Sequence, residues 1–128
     1  MSNAGRITAL AAILLMSAFD AVAEDIPVAA QARAWAKCRA CHSTDAGASR
    51  NEGPTLHAIF GAPAAGQTDF KNYSSALLKS GIVWTEETLD KFLIKPSQFV
   101  PDNTMPFAGM PRHEERAAVV AYLKARAE

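Results

Sequence analysis

In the C-terminal half of the chain, apolar side chains recur at helical spacing. Leu89, Phe92 and Leu93 fall at i, i+3 and i+4, a one-sided stripe. Thr85 stands before them as a cap, and Glu86 and Glu87 fill the first turn, where negative charge meets the positive end of the helix dipole. Lys95-Pro96 stops that helix. Val119, Val120 and Leu123, with Tyr122 beside them, predict a second buried face. Its helix is opened by Pro111, with Glu114 and Glu115 early and Lys124 and Arg126 late. Upstream, an Ala-rich segment from Pro27 to about Cys41 reads as another helix, with Asp25 at its positive end. Ser74 caps a short one ending near Gly81. No segment alternates convincingly at period two, so the pattern predicts three to four helices and no strand.

Between the helices lie two long loops. Residues 43–73 are broken by Gly47, Gly53-Pro54, Gly61, Pro63 and Gly66, and residues 97–110 contain Pro101 and Pro106. Loops of this length inside a small domain imply a bound group or an element that periodicity fails to reveal. So few helices also enclose little core, since small domains bury a small share of their surface. A large apolar cofactor at the centre resolves both difficulties.

The N-terminus has the shape of a removable export signal. Arg6 precedes an apolar run from Ile7 to Phe19, and Ala21-Val22-Ala23 supplies small residues for cleavage. The run is too short to cross a bilayer comfortably, and the alternatives are an uncleaved anchor or a buried apolar helix. Cleavage after Ala23 leaves residues 24–128 as one domain. Composition adds two restrictions. Thirteen basic and thirteen acidic side chains cancel, which argues against nucleic acid as a partner. An apolar share of 49% argues for a packed core over disorder.

The chemistry is concentrated in Cys38-Arg39-Ala40-Cys41-His42, a C-x-x-C-H segment of the kind that attaches haem c covalently. Two thiols at i and i+3 reach two vinyl groups of one porphyrin, and the next imidazole falls beneath the iron. Three other readings compete. A redox dithiol needs the motif at a helix start beside a parallel sheet, which is not predicted here. A zinc site would have to recruit His57 and His113 at spacings that match no common finger. A plain disulfide is compatible with export. A sixth iron ligand must come from elsewhere in residues 24–128, where Met105, Met110, His57 and His113 are available. A thioether raises the haem potential relative to a second imidazole. Both methionines precede a proline, which biases each to extended backbone, so local reasoning leaves Met105 and Met110 unresolved.

With these residues in view, the chain resembles class I cytochrome c, of the mitochondrial type and its soluble bacterial relatives. The resemblance runs from about Ala34 to Lys124. It rests on Trp35-x-x-Cys38-x-x-Cys41-His42, Gly53-Pro54-x-Leu56, Phe60-Gly61, Tyr73-Ser74, Gly81-x-x-Trp84, Lys95-Pro96, Thr104-Met105-Pro106-Phe107-Ala108-Gly109 and Ala121-Tyr122-Leu123. It implies an all-α cytochrome c fold whose helices and long loops wrap one haem c, covalent through Cys38 and Cys41. It assigns His42 and Met105 as axial ligands, and the Pro54 carbonyl as acceptor for the His42 imidazole. It further implies that Trp84 donates to a haem propionate near Tyr73 and Ser74, and that Trp35 packs on Tyr122. Three positions depart from the family pattern. Ala62 stands where a cation is common, Leu77 where an asparagine is, and Phe92 where a tyrosine is. A lysine ring for docking is also missing, leaving Lys37, Arg39, Lys95 and Arg112 as a weaker basic rim.

The functional expectation is a non-enzymatic, monomeric, periplasmic electron carrier in a respiratory chain. It would meet redox partner proteins transiently and exchange electrons by outer-sphere transfer at an exposed haem edge. The alternatives are a haem subunit dedicated to one dehydrogenase or oxidase complex, and a peroxidase-like protein with a dissociable methionine.

Overall fold

The computed structural model describes residues 25–127. The expected signal segment 1–23, and with it the domain boundary at residue 24, lies outside the described residues. Five helices follow in order: α1 (Val28–Trp35), α2 (Ser75–Lys79), α3 (Glu86–Ile94), α4 (Pro96–Phe99) and α5 (His113–Lys124). Among the described residues the only β pairing is an isolated antiparallel bridge between Pro63 and Val83. No helix there is long and apolar enough to cross a membrane.

The architecture is all-α, and the two stripes form where periodicity placed them. α3 buries Leu89, Phe92 and Leu93, and its start carries a reciprocal cap. Thr85 Oγ1 accepts from the Thr88 N–H at 3.1 Å, and the Thr85 N–H donates to Thr88 Oγ1 at 2.8 Å, so two otherwise orphaned donors are satisfied. α5 buries Val119, Val120 and Leu123. Ser74 caps α2 by accepting from the Leu77 N–H.

Three details differ from the sequence expectation. α1 ends at Trp35, and residues 36–42 continue as tight turns, with the Cys38 N–H donating to the Trp35 carbonyl and the His42 N–H to the Cys38 carbonyl. α4 falls inside what reads as loop. Pro96 both ends α3 and starts α4, because a first-turn residue has no use for the N–H that proline lacks. α5 begins two residues after Pro111, at His113.

α1 and α5 cross with the Trp35 and Tyr122 rings stacked at 4.9 Å and 12°. Arg126 lies over the other ring face, 3.4 Å from the Tyr122 centroid. α3 packs against α5, and Trp84 meets Phe92 edge-on at 5.0 Å. The long 43–73 loop is tied to the strand-like approach to α3. The Gly61 N–H donates to the Trp84 carbonyl at 2.7 Å, and the Trp84 N–H to Ala62 at 2.9 Å.

Candidate haem-binding site

The two loops and the helices behind them enclose a cavity of about 490 Å³, within the range of cofactor sites. Leu89, Phe92 and Leu93 of α3 and Val119 of α5 contribute its inner wall. Residues 51–56 and 103–107 line it from separate loops. Every sequence-predicted site residue reaches it: Cys38, Cys41 and His42 from the turns after α1, Pro54, Tyr73 and Ser74 from the first loop, Trp84 before α3, and Met105 from the second loop. The departures Ala62, Leu77 and Phe92 line it too. Met110 does not. It lies in the hydrophobic core, 1% exposed, with its N–H donating to the Leu93 carbonyl at 2.7 Å.

The His42 ring is held by one bond with a definite sense. Its Nδ1 is 2.7 Å from the Pro54 carbonyl oxygen, which only accepts, so Nδ1 carries the proton and Nε2 the lone pair. Burial holds the His42 pKa below its ordinary value, the Pro54 bond opposing, and so favours the neutral ring that a metal requires. Gly53 makes this approach possible. A Cβ there would lie 2.7 Å from His42 Cε1 and 2.8 Å from the Cys41 carbonyl oxygen.

Burial also pushes the Cys38 thiol up to about 11, with Lys37 pulling it down less strongly. Reactive dithiols show the opposite shift, which counts against a redox pair. Cys38 and Cys41 are not joined as a disulfide. Among the described residues no three His, Cys, Asp or Glu side chains gather as a bare metal site, and His57 and His113 are exposed. The Tyr73 hydroxyl accepts from the Gln67 N–H at 3.2 Å, and burial raises its pKa. Two thiols, an imidazole of fixed tautomer and a thioether around a mostly apolar hollow fit one haem c.

Several supporting residues carried no sequence signal of their own. Asn103 bonds to the backbone of Met105 through its side chain. Arg116, 6% exposed, reaches Asp90 at 2.7 Å and the carbonyls of Met110 and Pro111 at 3.0 and 2.9 Å. The basic rim is thinner than its sequence suggests, because Lys37 and Arg112 both pair with Glu115. Arg39 and Lys95 are exposed.

No family model matches the chain. Individual relatives do. Cytochrome c2 of Afifella marina is 41% identical over 100 residues, covering 76% of this chain and 80% of that protein. Cytochrome c of Sesamum indicum is 39% identical over 88 residues, covering 69% and 78%. The chain belongs to the cytochrome c family. Among solved structures, cytochrome cH from Methylobacterium extorquens superposes with a TM-score of 0.70 at 36% identity, covering 77% of this chain and 97% of that one. As a class I cytochrome c, the chain carries one haem c, attached through Cys38 and Cys41. Cytochromes c are electron carriers that serve redox partner proteins.

Proposed function

We propose that this cytochrome c is a soluble, single-haem carrier that passes electrons by outer-sphere transfer at a partly exposed haem edge. The observation that carries the reading is the joint placement of Cys38, Cys41, His42 and Met105 around one apolar cavity. The haem supplies a one-electron ferric–ferrous couple. The chain's residues do the rest. Cys38 and Cys41 tether the ring. His42 would hold the iron through Nε2, because the Pro54 carbonyl keeps the proton on Nδ1. Met105 would hold it through its thioether. With His42 and Met105 both holding the iron, the group would supply electron transfer, without an open site for oxygen or peroxide. Leu77 and Phe92 line the cavity with apolar surface, which keeps the surroundings dry and limits reorganisation.

Trp84, Tyr73 and Ser74 border the cavity and would hold the haem propionates, Trp84 as a donor. Docking is brief and uses a small surface, as electron-transfer encounters do. With Lys37 and Arg112 engaged by Glu115, positive steering rests on few cations. Export to the periplasm, with residues 1–23 removed, rests on the run Ile7–Phe19 and on Ala21-Val22-Ala23. The mature protein acts as a monomer.

The test is a reduced-minus-oxidised visible spectrum of the chain produced with haem-attachment machinery, beside a denaturing gel stained for covalent haem. Sharp reduced bands and haem that migrates with the polypeptide are expected. Rapid mixing of the ferrous protein with a ferric acceptor should show single-exponential oxidation without ligand exchange. A folded protein that emerges colourless, or haem that washes off in denaturant, overturns the reading.

A further inference from the structure

Residues 103–107 of the second loop line the cavity, Met105 among them, and the bonds that fix the Met105 backbone converge on Asn103, two residues before it. Asn103 Nδ2 donates to the Pro96 carbonyl at 2.8 Å and to the Val100 carbonyl at 2.7 Å. Its Oδ1 accepts from the Met105 N–H at 3.0 Å. The amide orientation is determined by its partners, since two carbonyls accept only and an N–H donates only. Both carbonyls belong to buried residues at the ends of α4, its first residue Pro96, less than 2% exposed, and its C-cap Val100, 4% exposed. The Met105 carbonyl accepts from the Phe107 N–H at 2.9 Å, and Pro106 restricts Met105 to extended backbone. Asp102, just before Asn103, adopts φ 64°, a left-handed turn that aspartate tolerates better than most residues.

We infer that Asn103 is the positioning residue of the axial methionine: its amide splints Met105 to α4, so that Met105 cannot leave the iron without breaking these bonds. The inference rests on Met105 as ligand, the reading proposed above. A freely moving loop would have to be ordered each time the sulfur bound. Here the ordering is already done by three hydrogen bonds anchored in the core, and so the thioether competes well against a ligand arriving from solution.

The experiment uses the ferric holoprotein with its covalent haem. Imidazole is titrated in, and loss of the near-infrared methionine-to-iron charge-transfer band reports displacement of Met105. Asn103→Ala removes all three bonds and should raise the apparent imidazole affinity by about tenfold or more, tenfold being the order for a single well-made bond. Asn103→Ser keeps an acceptor for the Met105 N–H but loses both amide donors, and its affinity should fall between wild type and Asn103→Ala. Should Asn103→Ala fail to assemble, Asn103→Ser carries the measurement alone. Ser49→Ala is the control for plain destabilisation. Ser49 bonds to Asp69 and accepts from the Thr55 N–H, all within the 43–73 loop and none of it to the Met105 loop, so its imidazole affinity should stay at the wild-type value. Wild-type affinity in the Asn103 variants, or an equal rise in Ser49→Ala, overturns the inference. Met105→Ala separates the two ideas. A band that survives it removes Met105 as ligand and this inference together. A band lost in Met105→Ala, with Asn103 variants titrating like wild type, sinks the splint alone.

Discussion

Met105 and Met110 are five residues apart, each followed by proline, and their local sequences do not tell them apart. Their surroundings differ completely, one beside the cavity and the other 1% exposed among core side chains. The two substitutions should therefore fail differently. Met105→Ala should abolish the methionine-to-iron band while costing little stability. Met110→Ala should keep the band and lose about 2–4 kcal/mol to the cavity it opens, read by urea unfolding. Gly53 gives a second prediction of this kind. The Cβ of Gly53→Ala would collide with both the His42 ring and the Cys41 carbonyl, and the ring cannot retreat without breaking its bond to Pro54. We expect a loss of about 1–3 kcal/mol together with a shifted haem spectrum, checked by denaturant titration followed at two wavelengths. At this scale the cysteines and His42 were legible because their chemistry depends on local spacing. The steric role of Gly53 and the bonds of Asn103 were not, because their partners lie across loops or act through backbone groups that a sequence does not mark.

Among the elements, α3 and α5 could be read in advance because amphipathic periodicity is a local property that burial then rewards. α4 could not. Four residues carry no period, and the turn is fixed because the Asn103 amide and the Val100 N–H both donate to the Pro96 carbonyl. The Arg116 side chain shows the same limit on a larger span. It joins α5 to Asp90 on α3 and to the end of the Met105 loop, through a guanidinium that helix periodicity alone would place at the surface. Arg116→Ala should cost about 2–3 kcal/mol, since it leaves the Met110 carbonyl and Asp90 without their donor. Thermal unfolding of the holoprotein checks it. Glu115 supplies the pH dependence of the α1–α5 contact. Arg112, and then Lys37, hold its carboxyl below the ordinary value of 4.5. A carboxyl depressed by folding contributes stability that is complete above the unfolded value and disappears as pH falls through the folded one. The melting temperature should therefore lose this contribution below about pH 4.5, and Glu115→Gln should remove that part of the acid decline.

For the whole molecule, the hollow between the loops explains why so few helices suffice. Its inner wall is made of the same Leu89, Phe92, Leu93 and Val119 side chains that face the helical core, so haem and helices share one apolar interior. Replacing Cys38 and Cys41 together by Ala should leave the haem removable and the helices loosely packed. Far-ultraviolet circular dichroism before and after haem extraction measures this, and a compact, fully helical haem-free variant would contradict it. Electrostatics at this scale were only half visible from composition. A count of cations suggested a weak basic rim, and pairing of Lys37 and Arg112 with Glu115 weakens it further.

The linear chain determined whatever depends on near neighbours: the amphipathic faces of α3 and α5, the caps at Ser74 and Thr85, and two thiols and an imidazole at the spacing one porphyrin needs. Packing decided whatever depends on distance in space. Which methionine reaches the cavity, how close Gly53 lets Pro54 come to His42, and where Asn103 and Arg116 anchor the second loop were settled only when segments dozens of residues apart met. The reason is physical. Helical period and motif spacing are short-range geometry, whereas tautomer, burial and ligand reach are set by groups that the chain brings together only when it folds.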